Sequence, residues 1–300
     1  MPEGDSPTVA RRRVRLAIRE ARDAAGLTQS QVAEAMEWSQ SKVIRIENGE
    51  VSISPNDLRP LLAYLGVADR ARVNALVGDA KTARLRQRRT WWQTPEFRDL
   101  AEPLRRLIEY EAIAVAIRNY STHYFPGPLQ TPDYAAALTG SLDDLPPDRS
   151  ELVLKARRER RDSVLSRLGS ALQFYVLLDE SVFMRPTGGP AVFAAQLAEL
   201  DRLASAELIH IRMLPFDLPY SIANNATYDV LSLRDQPGDE VLYRENGITD
   251  EIIEDRVTTS RHLNRFNQLW QIANDEADTI SFIRSRIKQL ETTVSNSQAQ

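Results

Sequence analysis

On a helical wheel of about 100° per residue, Gln40, Ser41, Ile44, Arg45 and Asn48 fall on one arc, and Val43 and Ile46 on the opposite one. The first set has the chemistry that reads base pairs. In a major groove an amide such as Gln40 pairs bidentately with adenine and a guanidinium such as Arg45 with guanine, each good pair giving about 1 to 3 kcal/mol of discrimination. Ser41 bonds either kind of base edge, and Ile44 fits against a thymine methyl. Lys42, Asn48 and the arginines Arg11 and Arg15 suit phosphate oxygens, contacts that fix register without reading sequence.

Such a set works only on a helix held from behind. Thr28 with Gln31 three residues on is a capping box that opens a short helix with Val32, Ala33 and Met36 facing inward. After a turn at Glu37 and Trp38, Ser39 is the N-cap of the helix that carries the polar arc, and Gly49 ends it. Upstream, Val14, Ala17, Ile18, Ala21 and Ala25 recur at helical spacing from about Thr8 to the stop at Gly26. Downstream, Ser54, Pro55 and Asp57 start a fourth helix whose stripe is Leu58, Leu61, Leu62 and Leu65. A fifth, Ala68 to Ala80, closes an all-helical domain over 8–80, after a start at 1–7 expected to be disordered.

Charge divides the chain the same way. Residues 1–90 carry 16 Lys+Arg against 11 Asp+Glu, and the remainder 22 against 31, within a total of -4. A basic first module on an acidic body suits an end that approaches phosphates. The absence of cysteine excludes disulfides, thiolate metal sites and cysteine nucleophiles. His123, His210 and His262 are far apart with no ligand spacing, so neither a metal nor a cofactor is expected. No apolar run reaches the roughly eighteen residues of a membrane span, and the expected setting is cytoplasmic.

The segments GLTQSQVAEAM, SQSKVIRIENG and SPNDLRPLLAYLGV resemble the Xre class of helix-turn-helix regulators, whose fold is that of the phage lambda repressor and Cro. The likeness covers about the first 70 residues. It implies double-stranded DNA as partner and gives Gln29 a role, buttressing Gln40 and binding the DNA backbone. It implies a homodimer too, because regulators of this class pair on palindromic half-sites about 34 Å apart. Glu37 departs from the glycine common in the family's turn. The competing reading is a protein-binding bundle with a merely solvated polar face; binding to DNA that ignored salt would favour it.

Residues 81–103 read as a basic linker helix, KTARLRQRR, running into an anchor at Trp91 and Trp92. A C-terminal regulatory domain follows over 104–290, with a polar tail at 291–300. Leu104 to Asn119 is expected as one long helix, Asp143 to Asp148 as a loop and Glu151 to Leu168 as a charged helix containing RRERR. QFYVLLD, LIHIRML, TYDVLSL and EVLYRE have strand composition, and the helical AVFAAQLAELDRLA between the first two makes them parallel. The expectation is a mostly α chain whose second domain is α/β, with a mixed sheet of about four strands flanked by helices. Helices over Asp250 to Asn274 and Glu276 to Leu290 complete it.

FPGPLQTPDYA, LLDES with the following GGP, MLPF and VLYREN resemble the domain that follows the Xre unit in WhiJ-like actinobacterial developmental regulators. Asn225, Ala226, Thr227 and Tyr228 depart mildly from its pattern. That resemblance implies a regulator, often encoded beside a small acidic partner protein, and brings no biochemical activity with it. Glu180, Arg185, Gly188 and Gly189 after a strand end, with Tyr243 and Glu245 from a later strand, are the candidate ligand or partner site. Asp179 and Glu180 could in principle exchange protons, but no nucleophile, base or phosphate loop accompanies them, so an ion pair or cap is preferred to catalysis. The reading is a non-enzymatic, sequence-specific transcription regulator whose second domain dimerises and senses a ligand or partner. Its alternative is an antitoxin-like or scaffold protein that sequesters a small partner and autoregulates its operon.

Overall fold

The computed structural model describes residues 7–85, 90–142, 147–219, 227–233, 238–245 and 249–298. Of the start expected to be disordered over 1–7 and the loop expected over Asp143 to Asp148, residues 1–6 and 143–146 lie outside the described residues, as do the linker residues 86–89 and Asn225 with Ala226, whereas Pro7 and Pro147 each begin a helix. The chain forms two compact units, Met1–Thr90 and Trp91–Gln300.

The first unit is five helices: α1 (Pro7–Ala24), α2 (Gln29–Ala35), α3 (Gln40–Glu47), α4 (Pro55–Tyr64) and α5 (Arg70–Thr82). Their apolar stripes meet in a core of Ile18, Val32, Val43, Ile46, Leu58, Leu61 and Leu62. Each short helix is begun by a side chain that satisfies an otherwise orphaned backbone amide. Thr28 Oγ1 accepts from Gln31 N at 3.2 Å while the Gln31 side chain accepts from Thr28 N at 2.9 Å. Ser39 caps Lys42 N at 3.2 Å, and Ser54 caps Asp57 N at 3.0 Å. The tight turn between α2 and α3 places Glu37 at φ 56, a left-handed conformation that costs a residue with a Cβ about 1 to 2 kcal/mol. That is why glycine suits this position. α5 ends at Thr82 and the backbone turns at Ala83 and Arg84, so the helix expected to span Lys81 to Arg89 does not continue there.

The second unit starts with Trp91 and Trp92, which pack with Phe97, Leu100, Ile108 and Ala156. Its elements are α6 (Glu102–Glu111), β1 (Ala116–Ser121), α7 (Pro132–Leu142), α8 (Pro147–Leu165), β2 (Gln173–Asp179), α9 (Glu180–Met184) and α10 (Gly189–Ser205). Then come β3 (His210–Leu214), β4 (Thr227–Ser232), β5 (Glu240–Glu245), β6 (Asp250–Ile253), α11 (Arg256–Ile272) and α12 (Glu276–Gln298). The sheet order is β3-β2-β1-β4-β5-β6: β1, β2 and β3 run parallel, and β4, β5 and β6 form an antiparallel meander beside β1. α11 covers the face bearing Tyr120, Leu177, Leu214, Tyr228, Val230 and Leu242.

The sheet therefore has six strands where the sequence suggested about four. The expected helix Leu104 to Asn119 stops at Glu111, and its apolar end becomes the central strand β1. A short run such as AIAVAI fits a buried helix and a buried strand equally well by periodicity; pairing on both sides, with β2 and β4, decides it. β6 was absorbed into a helix expected from Asp250, but DEII pairs with β5 and the helix starts only at Arg256, capped by Asp255 accepting from Thr258 N at 2.7 Å. The last helix runs past Leu290 to Gln298.

Candidate nucleic-acid interface

α3 is held from below and open above. Val43 and Ile46 are 2% and 3% exposed, in the core between α1 and α4, while Gln40, Ser41, Arg45 and Asn48 are exposed and Ile44 is half-buried. The five polar-arc residues thus share one outward strip of a single helix. Arg45 Nε lies 3.7 Å from Glu50, and Asn48 Nδ2 donates to Glu50 at 3.2 Å. An exposed ion pair of this kind contributes at most about 1 kcal/mol, so Arg45 is readily released to a stronger acceptor. Lys42 lies 3.8 Å over the Trp38 ring and 3.4 Å from Asp57.

Beneath the strip lies a buried ionic knot. The carboxylate of Glu47, 4% exposed, accepts from Arg22 Nε at 2.7 Å, Arg22 Nη2 at 3.0 Å and Gln29 Nε2 at 2.8 Å. It ties α1, α2 and α3 together and fixes the pitch of α3. The bond to Glu47 holds the Arg22 proton above its ordinary range. Gln29, expected to buttress Gln40, is placed here on Glu47 instead. Of the two arginines expected at phosphates, Arg11 donates to Ser52 at 3.2 Å, on the edge of the bundle. Arg15 is 7% exposed, its side chain running so close to Gly49 that a Cβ there would lie 2.9 Å from Cδ and Nε. In this conformation Arg15 braces the end of α3 from inside rather than meeting solvent. The sequence signal for Glu47 was available: positions 43, 46 and 47 are at i, i+3 and i+4, so the glutamate falls on the inner arc.

In the second unit the expected site does not assemble as one. Glu180 Oε2 accepts from Phe216 N at 2.8 Å, Asp179 caps Ser181 N at 2.9 Å, and Arg185 is exposed. Gly188, at φ 79, closes against Val192 and Ala137, and Gly189 begins α10. Tyr243 and Glu245 belong to β5, three strand positions from β2, or roughly 14 Å in a sheet. There they form a buried polar row across the sheet: Asn119 pairs with Asp229, and Asp229 with Tyr243. Asn119 Nδ2 donates to Asp229 at 2.6 Å, Tyr243 donates to Asp250 at 2.7 Å, and Glu111 holds the Arg160 guanidinium at 2.6 and 2.7 Å. Asn119 Oδ1 and Glu245 Oε2 are buried acceptors with no hydrogen-bond partner among the described residues.

Burial pushes the Asp229 carboxyl up to about 6, against the opposing bond from Asn119. Burial, with Asp250 adding repulsion, pushes Glu245 up to about 8. Glu245 therefore takes up a proton on folding between its ordinary 4.5 and about 8, and stability falls as pH rises through that window. Glu245→Gln is expected to flatten this slope and to raise stability at pH 8.5 by about 2 to 4 kcal/mol. Denaturant melts at pH 5 and 8.5 check it: parallel losses in wild type and variant would assign the slope to other groups.

A family model described as a domain of unknown function (DUF5753) matches residues 104–285, more than half of the chain. The chain belongs to the DUF5753 family. A second model, described as a helix-turn-helix domain, matches residues 14–76, so the first unit is a helix-turn-helix domain of the kind that binds DNA. Comparison with curated proteins and with solved structures gave no match. The DUF5753 match runs from α6 into α12 and takes in all six strands, so the buried polar row lies within that domain. Among the described residues no helix is long and apolar enough to cross a membrane, and no group of three or more His, Asp or Glu is placed to hold a metal ion.

Proposed function

We propose that this DUF5753 protein is a sequence-specific DNA-binding transcription regulator of the Xre class, in which α3 enters the major groove. The observation that carries the reading is the split of α3 itself: two apolar anchors in the core, and an amide, a hydroxyl and a guanidinium on the open side. Gln40, Ser41, Ile44 and Arg45 read bases; Lys42, Asn48 and Arg11 contact phosphates; Gln29, through Glu47, sets the tilt of the reading helix. One such helix covers only a few base pairs, so two copies of the chain bind a palindromic operator, with the DUF5753 domain dimerising them and sensing a ligand or partner. That domain acts without catalysis. Its most enzyme-like carboxylate, Glu180, is engaged by the backbone of Phe216.

Selection of bound duplexes from a random library by the full chain tests the proposal. The expected product is a pair of inverted half-sites one helical turn apart, with affinity falling as salt rises. Recovery of unrelated sequences, or of a single unpaired site, would defeat the sequence-reading or the dimeric part respectively.

A further inference from the structure

The motif FPGPLQTPDYA and the arginine-rich middle of α8 lie outside the helix-turn-helix unit, and they meet around one cavity. A space of about 210 Å³ opens between the start of α7 and α8. Ala135, Ala136 and Leu154 give it apolar walls, and Arg157, Arg158 and Arg161 stand along one side. The arginines come from one helix at i, i+1 and i+4, and two are fixed by neighbours. Arg157 Nη1 donates to Gln130 at 2.9 Å; Arg161 donates to Glu199 at 2.5 Å. Arg158 is exposed and makes no ion pair among the described residues.

The motif's side of the cavity is equally fixed. Gln130 Nε2 donates to Phe125 O at 2.7 Å. The fully buried Gln196 of α10 reaches the motif with both ends of its amide, accepting from Thr131 N at 2.7 Å and donating to Leu129 O at 3.0 Å. Two buried amides thus shape a loop that a surface turn would not need. One carboxylate, Asp133, also lines the space. It lies in the first turn of α7, where a negative charge complements the helix N-terminus. A small, preformed, mostly apolar pocket with a few fixed polar groups on one side is the usual form of a small-molecule site. Guanidiniums in that position select planar oxyanions.

We infer that the cleft between α7 and α8 binds a small carboxylate with an apolar body, the acid group meeting Arg158 and Arg157 and the body lying on Ala135, Ala136 and Leu154. This deepens the sensing reading by giving it a place. Binding is measured without DNA, so its failure and a failure of DNA recognition are distinguishable.

The test is calorimetric titration of the full chain with benzoate, with benzamidine as a cation of the same shape and inorganic phosphate as an anion without an apolar body. Benzoate is expected to saturate one site per chain, with benzamidine silent and phosphate at least roughly 10-fold weaker. Arg158→Ala, at an exposed position, removes one charge-assisted bond and is expected to weaken benzoate roughly 10-fold or more. Ala136→Leu, exposed at the mouth, is expected to block the apolar end without touching charge. No saturable benzoate signal overturns the inference, as does equal binding of benzamidine or phosphate. So does benzoate affinity unchanged in both variants.

Discussion

Arg22→Ala is expected to destabilise the helix-turn-helix unit by about 3 to 5 kcal/mol, the cost of stripping the partner from a buried charge. The Glu47 carboxylate is enclosed by α1, α2 and α3, and of the three hydrogen bonds it accepts among the described residues two come from the one guanidinium. Without Arg22, the neutral amide of Gln29 is the remaining donor. A domain of this size has a total stability of about 5 to 15 kcal/mol, so most of the margin goes. Hydrogen exchange of the backbone of residues 7–85 in the full chain measures it. Protection of α1 to α3 should fall by two to four orders of magnitude on this estimate, since each 1.4 kcal/mol is about tenfold. The double replacement Arg22→Met with Glu47→Leu should restore much of the loss, because it removes both charges from the interior. Protection unchanged in the single variant would mean that water reaches Glu47.

A comparable loss, again about 3 to 5 kcal/mol, is expected in the second unit for Arg160→Met. The side chains of Arg160 and Glu111 are 11% and 3% exposed, and their two parallel bonds join α8 to the end of α6. Burial opposes the charge of Arg160, but attraction to Glu111 and the nearby Asp229 outweighs it and raises its proton affinity. The variant leaves Glu111 close to Asp229 with no counter-charge, so the expected loss is greater at pH 8 than at pH 5, where Asp229, pushed up to about 6, takes a proton. Gly127 belongs to the same construction: a Cβ there would approach Arg160 Nη1 to 2.7 Å, so any side chain would displace the guanidinium. Denaturant melts of the second unit at both pH values check the expectation, and a loss independent of pH would remove Asp229 from the argument.

Most of the first unit was legible in its residues because local chemistry and burial agree there. Thr28 with Gln31, Ser39 and Ser54 each mark a helix start that the structure caps in the same way, and the leucines of α4 lie in the core at their helical spacing. Glu47 was missed because a charge is ordinarily read as surface, although its place on the inner arc of α3 gave it away. Arg15 is the converse case: its long stem lies under Gly49, and residue type alone does not say which way it turns.

In the second unit the four recognised strands stood out by their β-branched and aromatic residues, whereas β1 begins in AIAVAI, where alanine alternates with β-branched residues but every position is apolar, so no apolar-to-polar alternation separates a strand from a buried helix. Its assignment depends on partners more than fifty residues away in the chain. The candidate site scattered for the same reason. Glu180 and Glu245 both stand at strand ends, but only the strand order shows that β1 and β4 lie between them.

The central claim is that the open arc of α3 reads base sequence. Footprinting of the full chain on its own upstream region, for wild type, Arg45→Ala and Lys42→Ala, tests it most directly. Arg45→Ala is expected to lose about 1 to 3 kcal/mol and to relax the preference at one base pair in each half-site. Lys42→Ala should weaken all sequences alike and shallow the salt dependence by about one counterion. Identical protection and equal affinity for wild type and Arg45→Ala would contradict the assignment of α3 as the reading helix.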